Sequence, residues 1–147
     1  MVYTYVASSQ KPTAVNHSLV CNFVSPDEKN LILVRSNHIE IHTLKESELA
    51  GLLDVSLYGN VLSIAAYRHS TLNVDVLFVL TDKRHFCVLG YDADNRKIIT
   101  RAVGSIKERV GKELECGQRG IIDPDNRMIG MLVYEGLLKV RTMSLIN

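Results

Sequence analysis

The sequence predicts an all-β fold, and three observations predict it. Short runs of apolar and β-branched residues alternate with polar ones, turn-forming residues punctuate the runs, and no long helical period competes. A compact strand–turn–strand unit also recurs three times, at roughly 45 to 50 residues, the length of one four-stranded propeller blade. The architecture expected is an incomplete β-propeller of about two and a half four-stranded antiparallel blades.

In chain order, residues 19–24 form the first apolar segment, closed by the turn residues Ser25, Pro26 and Asp27. Residues 31–34 and 39–43 make the first strand pair across 35–37. In the stretch 37–43, Ile39 and Ile41 share one face of an alternating strand. Residues 49–57 supply a fourth strand, and Tyr58-Gly-Asn60 breaks the chain. The second unit repeats this with 61–66, 76–80, 86–89 and 98–103, with Asp92-Ala-Asp-Asn95 as a turn. The run 75–81 is apolar between polar ends, as suits a strand covered on both faces. The third unit has 120–122, 128–133 and 137–140, joined by Asp123-Pro-Asp-Asn126 and Tyr134-Glu-Gly136. Blade one is thus expected at about 18–58, blade two at about 60–103 and a partial blade three at about 119–146. Two short helical readings compete. Residues 43–50 hold helix formers stopped by Gly51, and 105–110 place Ser105 as a cap three residues before Glu108. The pattern alone serves a propeller and a β-sandwich equally, since no Trp-Asp blade signature is present. If the fold is a propeller, so few blades leave sheet faces and an edge open, so the chain is either a fragment or completes itself on a partner.

Composition narrows the function. The 147 residues carry 17 basic and 16 acidic side chains, a formal charge of +1. That balance argues against an interface driven by phosphate contacts, so direct nucleic-acid binding is not expected. The apolar run 76–80 is too short to span a bilayer, residues 1–12 lack the apolar centre of a secretory leader, and no membrane partner is expected. The widely spaced Cys21, Cys87 and Cys116 read as reduced thiols.

Catalytic and metal motifs fail one by one. His38 and His42 share a strand face roughly 13 Å apart, too far for one zinc ion, and read as solvent-facing histidines. No Cys-x-x-Cys pair occurs. The segment 104–112 resembles a phosphate loop but has the wrong glycine spacing, with Glu113 where a hydroxyl should meet magnesium. Asp92 with Asp94, and Asp123 with Asp125, sit among turn residues rather than in a calcium loop. A non-enzymatic module without cofactor, catalytic residue or metal is expected.

Three segments carry a resemblance along almost the whole chain. They are Gln10-Lys-Pro-Thr-Ala-Val-Asn16, Ile98-Ile-Thr-Arg-Ala102 with Gly104, and Gly120-Ile-Ile-Asp-Pro-Asp-Asn-Arg-Met-Ile-Gly130 continuing through 134–140. Together with Tyr58-Gly59 they resemble the family of the damaged-DNA-binding protein large subunit. That resemblance implies a scaffold of three seven-bladed propellers, the adaptor linking cullin-4-RING ubiquitin ligases to substrate receptors in DNA repair and protein turnover. It further implies a nuclear and cytoplasmic location. Two related large proteins, of pre-mRNA splicing and of 3′-end cleavage, share the architecture. The chain would match only the opening of the first propeller, so it lacks the cullin-holding propeller. The partners implied are receptors and the remainder of the scaffold. The polar stretch 104–118 is the longest in the chain, and its Lys107, Arg109 and Lys112 are the candidate partner contacts.

Overall fold

In an extended strand successive side chains point to opposite sheet faces, so an alternating run has one face to bury and a continuously apolar run has two. The computed structural model of the chain describes residues 9–109 and 111–142. Within them lie eleven strands: β1 His17–Ser25, β2 Glu28–Arg35, β3 His38–Leu44, β4 Leu49–Ser56, β5 Val61–Tyr67, β6 Val76–Thr81, β7 His85–Asp92, β8 Lys97–Ser105, β9 Arg119–Ile122, β10 Met128–Tyr134 and β11 Leu137–Thr142. They form three antiparallel sheets in chain order, β1–β4, β5–β8 and β9–β11. Each strand pairs with its sequence neighbour. Two complete blades and three strands of a third are what the repeat implied. The last residues of the expected third blade, 143–146, lie outside the described residues.

Both helical readings give way to strands and turns. Thr43 and Leu44 end β3, while Leu49 and Ala50 open β4. Lys45 and Glu48 exchange backbone bonds of 2.9 and 3.2 Å that close a hairpin around Glu46 and Ser47. Cross-strand pairing completes the hydrogen bonding that a single helical turn leaves open at both ends. Ser105 belongs to β8, and its hydroxyl accepts from the Lys107 amide at 3.3 Å, a local turn rather than a helix cap. Val110 lies outside the described residues. Among those residues no helix is long and apolar enough to cross a membrane.

The sheets stack through two cores that meet at β6. Leu77 and Val79 face blade one, packing with Phe23, Ile32, Ile39 and Ile41. Val76, Phe78 and Leu80 face blade three, packing with Ile129, Met131 and Val133. Every residue of β6 is buried, as the continuous apolar run required. Full burial of side chains of this size stabilises by about 1.5–3 kcal/mol each, before the entropy of ordering them. Gly120 has a steric role. A Cβ there would stand 2.3 Å from Cε1 of Phe78, so only glycine lets β9 lie over that ring.

Polar links hold the blades in register. Buried Asn30 accepts from the Phe23 and Val24 amides at 3.2 and 3.0 Å and donates to Thr43 Oγ1 at 3.3 Å. This stabilises the irregularity in β1 between Cys21 and Ser25. Asp75 joins blades one and two: its carboxylate accepts from the Asn22 amide at 2.7 Å and its own amide donates to the Asn22 carbonyl at 2.8 Å. Ser63 Oγ accepts from the Gly120 amide at 3.1 Å, joining blades two and three.

Phe78→Ala is expected to lower unfolding free energy by about 3–5 kcal/mol, because the cavity opens where β9 and β10 seat on blade two. Val140→Ala, on an uncovered face, should stay within about 0.5 kcal/mol. Urea titration followed by circular dichroism checks the contrast; equal losses would contradict the two-core packing.

Candidate interaction surfaces

The loop after β8 was expected as the longest polar stretch, and 106–118 does connect blades two and three. Far from hanging free, it is tied down at several points. Ile106 is buried and its amide donates to the Arg84 carbonyl at 2.9 Å. The Glu108 amide donates to the Tyr134 hydroxyl at 3.0 Å. Lys139 from β11 reaches across to the Ile106 carbonyl at 3.0 Å and the Glu108 carboxylate at 2.5 Å. The Lys139 ammonium holds the Glu108 carboxyl below the usual carboxylate range. Further along, the Leu114 amide donates to the Val133 carbonyl at 2.9 Å, the Glu135 amide to the Lys112 carbonyl at 2.9 Å, and Glu113 pairs with Arg84.

On this frame Lys107, Arg109 and Lys112 are all exposed. Lys112 forms an ion pair with Glu135 at 2.9 Å, so its charge is partly answered. The three cations are therefore carried by a braced loop.

Blade one offers a second surface that sequence reasoning missed. Opposite its core face, Arg35, His38, Glu40 and His42 line up with Asp54 of β4. Arg35 approaches Glu40 at 3.4 Å, His42 Nε2 lies 3.2 Å from Glu40, and His38 Nδ1 lies 3.1 Å from Asp54. Lys11 also contacts Asp54, and its hydrogen bond, helped by His38, holds that carboxyl below its ordinary range. The two histidines share a face as expected but are half-buried among carboxylates rather than solvent-facing. The missed signal was the charged alternation at 35, 38, 40 and 42.

The acidic pairs are turns, as their neighbours indicated. Asp92 accepts from the Asp94 and Asn95 amides and from Asn95 Nδ2 at 2.8–3.3 Å. Asp123 accepts from the Arg127 amide at 3.3 Å and guanidinium at 2.9 Å, with Asn126 at positive φ. Among the described residues no cluster of three or more His, Cys, Asp or Glu could hold a metal. Burial pushes the Cys21 thiol up to about 12, with Asp75 adding to it, and the Cys87 thiol up to about 11, whereas Cys116 is exposed.

Consecutive antiparallel sheets, stacked face to face in chain order, define the class: these are blades of a β-propeller, two of four strands and one of three among the described residues. Residues 14–145 match the family described as the RSE1/DDB1/CPSF1 first β-propeller. The chain belongs to that family. It is 47% identical over 139 residues to DNA damage-binding protein 1b of Arabidopsis thaliana. It is 44% identical over 139 residues to DNA damage-binding protein 1 of Solanum lycopersicum and 42% over 139 to that of Oryza sativa subsp. japonica. Each alignment covers 95% of this chain, which spans 13% of the length of these curated relatives.

At pH 8 iodoacetamide should modify Cys116 first. Cys21 and Cys87 should react on the order of 100-fold more slowly, because the attacking species is the thiolate and burial disfavours it. Raising the pH toward 11 should narrow the gap; mass-spectrometric time courses would show it, and equal rates at pH 8 would refute the burial argument. Tyr134→Phe removes the acceptor for the Glu108 amide, worth about 0.5–1.5 kcal/mol. Hydrogen exchange over 106–109 should then speed up about tenfold at most, with β6 unchanged.

Proposed function

We propose that this chain is a non-catalytic protein-interaction scaffold. It would work as the opening part of an adaptor of cullin-4-RING ubiquitin ligases, in DNA repair and ubiquitin-dependent protein turnover, in nucleus and cytoplasm. The observation that carries the reading is the family match over 14–145, together with relatives named for DNA damage binding. The braced loop supports it, since a rigid scaffold presenting exposed cations suits a protein partner. Lys107 and Arg109 would contribute most to such a contact, with Lys112 partly committed to Glu135. Substrate receptors of the ligase and further parts of the scaffold are the partners this reading names. Cullin contact is not included, because the resemblance assigns it to a different propeller.

A second reading also has a specific observation behind it. Among the described residues, blade three has three strands where blades one and two have four. A piece with open sheet surfaces would lack independent adaptor activity until another polypeptide covered them.

Affinity purification of the tagged chain from nuclear and cytoplasmic extracts separates the two. Receptor or ligase subunits should co-purify, and Lys107→Glu with Arg109→Glu should reduce their recovery about tenfold. No recovery under gentle conditions, from a chain that unfolds cooperatively, would overturn the adaptor reading in favour of the second.

A further inference from the structure

We draw no further inference here: the strongest candidate, the cleft between β8 and β11 where Arg101 and Arg141 flank an apolar floor, opens beside the last described strand, and nothing in the structure shows what covers it.

Discussion

The structure depends on one strand being buried twice. β6 sends Leu77 and Val79 into the core shared with blade one, and Val76, Phe78 and Leu80 into the core shared with blade three. Neither end sheet has a second neighbour among the described residues. Their hydrophobic faces are therefore satisfied only through the central blade. Gly120 belongs to this constraint, because the Phe78 ring occupies the space any side chain there would need. Close packing of this kind leaves little room for adjustment, so the angle between blades is set by particular side chains rather than by the general apolar character of the faces.

Polar groups then convert a stack into a frame. Asn30 satisfies amides that the irregular part of β1 leaves unpaired, and Asp75 binds the backbone of the preceding blade on both its amide and carboxylate sides. Buried amides without such partners would cost more than the bonds gain, so these contacts specify where the chain turns. The same logic braces the 106–118 loop. Ile106 is the apolar anchor, Tyr134 caps the Glu108 amide, and Lys139 ties the loop to the last described strand. The cations Lys107, Arg109 and Lys112 thus stand on a platform built from both flanking blades.

Most of the fold was legible because its signals are local. Alternation at 37–43, the continuous run at 76–80 and the turn residues at 123–126 each correspond to an observed strand or turn. Repeat spacing then anticipated the successive sheets of four, four and three strands. What the sequence obscured was anything decided by contact across strands. Residues 43–50 have helical composition, yet the Lys45–Glu48 hairpin takes them because β3 and β4 pair on either side. His38 and His42 were placed on the right element with the wrong surroundings, since Glu40 and Asp54 reach them only once the sheet forms. Composition marked the loop as polar, but nothing linear announces that Lys139 and Tyr134 will hold it. Arg101 and Arg141, far apart in sequence, meet in one cleft only through the stacking of two blades.

Between sheets, strand contacts run from β1 to β5 and β7, and from β5 and β6 to β9. Among the described residues the main contacts thus link each blade to the one beside it, in the manner of a short linear array. Local opening in such an array starts from the ends and works inward, so protection against solvent and proteolysis should be graded along the polypeptide rather than uniform. Among the described residues the two outer sheets are linked through the middle blade, by Leu77 and Val79 on one face and Phe78 on the other, which makes that blade the keystone through which mechanical or thermal stress is relayed.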